Sequence, residues 1–130
     1  MGLDMYAFTT PVKPSSPVDF EIPEFVDVLY KGTTVKLKST TEIHYWRKHW
    51  SLHMVLKQIY LEKGGTDEGF NCVNLQLLQE DLEYIEKAVC LGLEENQDYP
   101  HNKKSSDLEF IEKAKKAIQE GLTVYYQAWY

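Results

Sequence analysis

Hydrophobic and polar positions alternate along the first third of the chain, with the two-residue period of β-strands. Residues 3–8 alternate weakly and are rich in strand-forming side chains, which predicts a short strand. Two further β-rich runs, residues 25–30 and 33–38, flank a short glycine-containing turn and predict a hairpin. In its second strand Val35 and Leu37 share one side, so we expect that strand to be solvated on the other side only.

A proline-rich segment separates the first strand from the hairpin. Residues 11–23 contain four of the five prolines of the chain. Proline fixes its φ angle and has no backbone N–H, so this segment is expected to be an exposed loop. Because 130 residues is close to the commonest domain size, residues 1–130 are expected to fold as one domain that includes this loop.

The stretch after the hairpin changes to a helical period. Ser39 and Glu42 have the spacing of a capping box, and Gly64 and Gly65 are typical of a helix end, so a long helix is predicted at about residues 40–63. On a helical wheel its apolar side chains span more than half of the circumference. Such a wide arc predicts a central helix that is buried against several neighbours.

A second helix is predicted at about residues 75–91, with Asn74 as its N-cap. Residues that recur at three- and four-residue steps give it one buried stripe, namely Leu75, Leu78, Leu82, Ile85 and Val89. The polar residues 94–104, which include Pro100, predict a loop after this helix.

The last helix and strand complete the predicted fold. Ser106 and Glu109 form a second capping box that opens a third helix, and Gly121 closes it. Residues 122–130 are strongly strand-forming. The order of elements predicts an α+β fold: a small, mainly antiparallel sheet of the N-terminal strand, the hairpin at about residues 25–38 and the C-terminal strand, with three helices packed on it.

Composition and charge narrow the possible partners. The chain has 14 Lys and Arg against 20 Asp and Glu, and residues 64–130 alone carry six basic and 13 acidic side chains. Because nucleic-acid binding needs a basic patch, no nucleic-acid partner is expected. No apolar run approaches the roughly 18 residues of a membrane span, and the N-terminus lacks the pattern of a secretory signal. We therefore expect a soluble cytoplasmic protein without a membrane partner.

His49 and His53 lie one turn apart in the predicted long helix, inside its apolar arc. They could be metal ligands, acid–base groups in a pocket, or core histidines that hydrogen-bond to a carbonyl or a tyrosine. The His-Glu-x-x-His pattern of zinc hydrolases is absent, and no cysteine or carboxylate stands nearby in the sequence to complete a ligand set. The apolar surroundings favour core histidines, so neither a metal nor another cofactor is predicted.

Two charged residues add further candidates. Asp4 points to the opposite side of the first strand from Leu3 and Met5, either to solvent or to the floor of a pocket. Arg47 borders the polar side of the long helix, where it could bind an anionic ligand, pair with Asp4 or a glutamate, or be solvated. The aromatic C-terminus suits stacking on a flat ligand, and suits a core or an interface better.

The chain resembles a family of small phage and bacterial proteins. The matching segments are Gly2-Leu3-Asp4-Met5-Tyr6, Tyr45-Trp46-Arg47-Lys48 followed by Leu52-His53, Asn71-Cys72, and Val124-Tyr125-Tyr126 with Trp129. The chain departs from the family pattern at His49 and Trp50, in its proline-rich insert, and in lacking a glycine- and phenylalanine-rich segment before the last helix. No activity is established for that family. The resemblance therefore implies a set of residues, Asp4, Tyr45, Arg47 and His53, and no mechanism.

Three hypotheses about function follow. The first is a small soluble binding or accessory domain without its own catalysis. The second is a small enzyme that acts on a nucleotide-like or phosphorylated ligand, with His53 as general base and Arg47 as anion clamp. The third is an oligomeric interaction protein whose aromatic C-terminal strand pairs between subunits. We further predict that Asp4, Arg47 and His53 converge where sheet and helix meet, to bind a small anionic ligand or to form a structural polar network.

Overall fold

The structure, a computed structural model, describes residues 2–91 and 101–130 of the chain. Within these residues the chain forms six strands and three helices, which confirms the predicted α+β class. In chain order the elements are β1 (Asp4–Thr10), β2 (Phe25–Tyr30), β3 (Thr33–Lys38), β4 (Thr41–Arg47), α1 (Trp50–Glu62), β5 (Leu75–Leu77), α2 (Gln79–Leu91), α3 (His101–Gln119) and β6 (Thr123–Trp129).

Four of the strands form one antiparallel sheet in the order β4-β1-β6-β5. Successive side chains of a strand point to opposite faces of its sheet. In β1, Met5 and Ala7 are fully buried, whereas Tyr6 between them is partly exposed. The buried side chains belong to one core that includes residues of all three helices. The helices therefore cover one face of the sheet, the inner face, and the opposite face is the outer face.

The hairpin forms at the predicted residues, but it is not part of this sheet. Among the described residues, β2 and β3 pair only with each other. All residues of the hairpin strands are exposed except Val26, which is partly buried. The prediction that the side carrying Val35 and Leu37 would be covered is therefore wrong, because both sides of the ribbon meet solvent. At the base of the ribbon, the backbone N–H of Ser39 donates to the Glu24 carbonyl at 3.0 Å, which closes the hairpin where the chain enters and leaves it.

The predicted long helix at residues 40–63 is wrong in its first part, which forms strand β4. Threonine, isoleucine, tyrosine and tryptophan favour strands, and here they alternate between two occupied faces of a sheet. A segment with apolar groups on both faces shows an unusually wide apolar arc on a helical wheel. Lys48, with φ of 56°, ends the extended backbone before α1 begins. Ser39 caps no helix, since its hydroxyl donates to the Pro23 carbonyl at the hairpin base.

The second helix starts later than predicted. Residues 75–77 form the short strand β5 beside β6, and α2 begins only at Gln79. Asn74 does not cap it, because its side-chain amide donates to the Phe20 carbonyl at 2.9 Å. Of the predicted stripe, Leu82, Ile85 and Val89 are buried in α2 and Leu75 is buried in β5, whereas Leu78 is exposed.

The third helix starts earlier than predicted. Because α3 begins at His101, Ser106 and Glu109 lie inside it and do not form a capping box. Gly121 follows its end with φ of 87°, as predicted for a helix-terminating glycine. The predicted loop at residues 94–104 lies mostly outside the described residues, and its last four residues belong to α3.

The proline-rich segment contains no helix or strand, but it is not simply exposed. Val18 and Phe20 are both buried. Val18 forms an isolated bridge with Leu75, and the Phe20 ring packs edge-on against Tyr125 with 5.6 Å between centroids. Residues 11–23 therefore cover the β5 end of the sheet and leave the β4 end open.

The turn after α1 is packed against a buried ring. A Cβ added at Gly65 would overlap the ring of Tyr60, which is fully buried. We expect Gly65→Ala to lower the free energy of unfolding by about 1–3 kcal/mol, since the ring has to move. Urea unfolding followed by circular dichroism measures this loss. Gly2→Ala is the control, because its Cβ would meet nothing within 4 Å. Equal effects at the two positions would contradict the close packing.

Candidate functional site

The outer face of the sheet brings aromatic and charged side chains together on β4, β1 and β6. Residues directly opposite one another across these strands form rows, and two adjacent rows are Arg47–Asp4–Trp129 and Tyr45–Tyr6–Gln127. Glu42 and Phe8 lie opposite each other in the row that follows. We call this surface the outer aromatic face; its members are Asp4, Tyr6, Phe8, Glu42, Tyr45, Arg47, Gln127 and Trp129.

Neighbouring rings order this surface. The Tyr6 ring lies 5.9 Å from Phe8 and 5.2 Å from Tyr45, and Phe8 lies 5.2 Å from Tyr125, measured between centroids. These distances are typical of favourable aromatic pairs. Tyr45 is nevertheless 44% exposed and Trp129 is 55% exposed. The outer aromatic face is therefore a supported surface with accessible rings.

Three of the four candidate site residues meet on this surface. The Tyr45 hydroxyl donates to Oδ1 of Asp4 at 2.5 Å, and Arg47 is the direct cross-strand neighbour of Asp4. The hydrogen bond to the Asp4 carboxylate raises the pKa of Tyr45 above its ordinary value of 10.0, while the charge of Arg47 acts in the opposite direction. Tyr45 is therefore protonated at neutral pH, and its hydroxyl proton is directed to Asp4.

The fourth candidate, His53, lies on the other side of the sheet. Its ring is 1% exposed, its Nδ1 is 2.8 Å from the hydroxyl of the fully buried Tyr126, and its ring stacks on Phe70. Nε2 has no hydrogen-bond partner among the described atoms. Burial, with a smaller effect of the Lys57 charge, lowers the pKa of His53 to about 4. The predicted convergence of His53 with Asp4 and Arg47 is therefore wrong, because the sheet separates them.

No family model, curated protein or solved structure matches this chain. Of the helices that the structure describes, none is long and apolar enough to cross a lipid bilayer. Among the same residues, no three His, Cys, Asp or Glu side chains are grouped so that they could bind a metal ion.

A buried polar cluster, which the sequence patterns did not reveal, joins β4 to α3. The carboxylate of Asp107 is fully buried and accepts a hydrogen bond from the Trp46 indole N–H at 2.8 Å. Its other oxygen is 2.8 Å from Nε2 of His49, which is also buried. His49 thus has a carboxylate partner in the core, as expected of a core histidine, although that partner is neither a carbonyl nor a tyrosine. His49 and His53 have different partners, so they do not act as a pair.

Beside this cluster, His44 and Ser106 form a pair that resembles a base and its nucleophile. Nε2 of His44 is 2.7 Å from the Ser106 hydroxyl. Burial, and then the charge of Lys113, lower the pKa of His44, so the imidazole is neutral at pH 7. The rings of Trp46 and Phe110 pack against it at 4.5 and 5.8 Å between centroids. This packing favours a structural hydrogen bond over a catalytic one.

The aromatic C-terminal strand is not at an edge of the sheet. β6 lies between β1 and β5, so the hypothesis that this strand pairs with another subunit is wrong in that form. Tyr125 and Tyr126 are buried, and Trp129 alone of the β6 aromatics is exposed. β6 can therefore contribute to an interface through the side chain of Trp129 on the outer aromatic face, and not through backbone pairing.

Two hollows adjoin on the outer side of the molecule. The one on the outer aromatic face has a volume of about 210 Å³ and is lined by Tyr6, Phe8, Glu42, Gln127 and Trp129. Its neighbour, of about 460 Å³, also reaches Gln127 and includes the acidic residues Asp19 and Glu21 in its lining. The first is smaller than the roughly 300 Å³ at which ligand pockets begin. The second carries the wrong charge for an anionic ligand.

Proposed function

We propose that this chain is a small protein-binding module without catalysis of its own, and that the outer aromatic face is its contact surface. One observation carries the proposal: Trp129, Tyr45 and Arg47 lie in adjacent rows of one sheet face, with both rings accessible. Tryptophan, tyrosine and arginine are the residue types that most often dominate the binding energy of protein interfaces. Their rigid placement lowers the entropy cost of binding.

The size and charge of the surface support a protein partner over a small ligand. A hollow of about 210 Å³ accommodates a side chain of a partner but not a nucleotide. Asp4 and Glu42 on this face would repel a nucleic-acid backbone or a small anion, and Arg47 is the one member of the face that would attract such a ligand. A folded partner can instead use the rings, the hydrogen-bonding groups and both charges at once.

The positions of Arg47 and His53 favour the binding hypothesis over the enzyme hypothesis. A general base has to reach the same substrate as the anion clamp that orients it. Arg47 is exposed on the outer face, whereas His53 is buried on the inner face against Tyr126. An enzyme that uses both residues would require the sheet to open.

Membership in the phage and bacterial family that the chain resembles, and a cytoplasmic location, are further parts of this proposal. Asp4, Tyr45 and Arg47 belong to the residue set that the resemblance implies, and they are neighbours on the proposed contact surface. A shared binding surface would explain why these residue types occur together.

Photo-crosslinking tests the proposed surface. We expect a photoreactive phenylalanine in place of Tyr45 to give a crosslinked product of defined mass when the full chain is irradiated in its host cells. The matched control is the same replacement of Tyr84, which is 49% exposed on α2, one of the helices that cover the opposite face of the sheet. The Tyr45 product should weaken when Trp129→Ala is added. No product at position 45, or equal products at positions 45 and 84, would contradict the proposal.

A further inference from the structure

The hairpin carries an apolar side that the described part of the chain leaves uncovered except at Val26, which is partly buried. The cross-strand pairs Val26–Leu37 and Val28–Val35 lie on this side together with Tyr30, which is 61% exposed. We call these five residues the apolar side of the hairpin. A two-stranded hairpin is only marginally stable in water. An exposed apolar side lowers its stability further, because those side chains gain nothing from burial. The ribbon would therefore be stabilised by a surface that covers this side.

The body of the same protein has an uncovered surface of matching size. The hairpin strands have six residues, about 20 Å, and the strands under the outer aromatic face have seven, about 23 Å. The two surfaces do not meet within one copy, because the hairpin strands are exposed on both sides. Two copies placed side by side could bring them together.

Charge favours contact between the hairpin of one copy and the body of another. The hairpin, residues 25–38, contains Lys31, Lys36 and Lys38 against Asp27, a net charge of +2, which leaves −8 on the rest of a chain of −6. Two hairpins packed on each other would bring charges of the same sign together. The outer aromatic face carries Asp4 and Glu42 against Arg47, so a hairpin on this face brings together surfaces of opposite net charge.

We propose that the outer aromatic face of one copy binds the apolar side of the hairpin of a second copy, and that two copies do so reciprocally. Reciprocal exchange of one element gives a closed, twofold-symmetric dimer. This inference rests on the proposed function, since it names the partner of the same surface. In the dimer the exposed rings of Tyr45 and Trp129 cover the valine and leucine side chains of the partner's ribbon.

Sedimentation velocity of the purified full chain, at low and high micromolar concentrations, tests the exchange. We expect the unmodified chain to form a dimer and Val35→Asp to weaken dimerisation roughly tenfold or more, because the aspartate would lie in the apolar contact. Thr34→Asp is the matched control: it introduces the same charge one residue away, on the opposite side of the ribbon. Both positions are exposed, so circular dichroism should show the same fold for both variants.

Crosslinking identifies the surface that the hairpin contacts. A photoreactive phenylalanine in place of Tyr30, in a mixture of ¹⁴N- and ¹⁵N-labelled protein, should give crosslinks between copies to peptides of β1 or β4. A chain that is monomeric at all concentrations, a dimer that Val35→Asp leaves intact, or crosslinks to the partner's hairpin would each overturn the exchange. If the chain is monomeric but position 45 crosslinks to a different protein, the exchange fails and the proposed function stands. If position 45 gives no product either, both fail.

Discussion

Replacement of Asp107 by alanine is expected to lower the free energy of unfolding by about 3–5 kcal/mol. The Asp107 carboxylate is fully buried. One of its oxygens accepts a hydrogen bond from the Trp46 indole N–H at 2.8 Å, and the other lies 2.8 Å from Nε2 of His49. Its removal leaves two buried polar groups without this acceptor, and desolvation of such groups is costly. Urea unfolding at pH 7, followed by circular dichroism, measures the loss.

Two further variants separate this effect from a general sensitivity of α3. Glu112→Ala changes an exposed acidic residue of the same helix and should alter the free energy by no more than about 0.5 kcal/mol. Asp107→Asn retains an acceptor for one N–H but loses the charge, so an intermediate loss is expected. A loss below about 1 kcal/mol for Asp107→Ala would contradict a buried, paired carboxylate.

Local sequence patterns predicted the elements that depend on local chemistry. β1, the hairpin and β6 follow from alternation and strand-forming residues, and the stripe of α2 follows from its helical period. β4 was predicted as helix because both of its faces carry large side chains: Trp46 packs inward, whereas Tyr45 lies on the outer face. A strand that is occupied on both faces has no clear two-residue period, so its strand-forming residue types are the remaining local signal and pairing with β1 decides its structure.

The candidate site was predicted in part. Asp4, Tyr45 and Arg47 are neighbours, but the register that makes them so joins segments about 40 residues apart and cannot be read from local spacing. His53 was grouped with them by the family resemblance and by the prediction that β4 and α1 form one helix, and neither places it on the outer face. One signal for the buried cluster was available: Asp107 lies three and four residues before Phe110 and Ile111, on the buried stripe of α3. A carboxylate on such a stripe requires a partner.

Acid is expected to destabilise the protein through His53. Burial lowers the pKa of His53 from its ordinary 6.5 to about 4 in the folded chain. Between these values the unfolded chain binds a proton that the folded chain does not, so the free energy of unfolding falls as the pH falls. This residue should account for a loss of about 2 kcal/mol between pH 7 and pH 5. Urea unfolding at a series of pH values measures it.

The variant His53→Phe isolates this contribution. It retains an aromatic ring beside Phe70 but removes the titrating group. Between pH 7 and pH 5, the free energy of unfolding of the variant should therefore fall by about 2 kcal/mol less than that of the unmodified chain. Part of the pH dependence should remain, because burial also lowers the pKa of His44. Parallel pH profiles for the variant and the unmodified chain would show that His53 is protonated equally in both states. The buried Nε2 would then have a partner, and the inner face beside Tyr126 would be open to water.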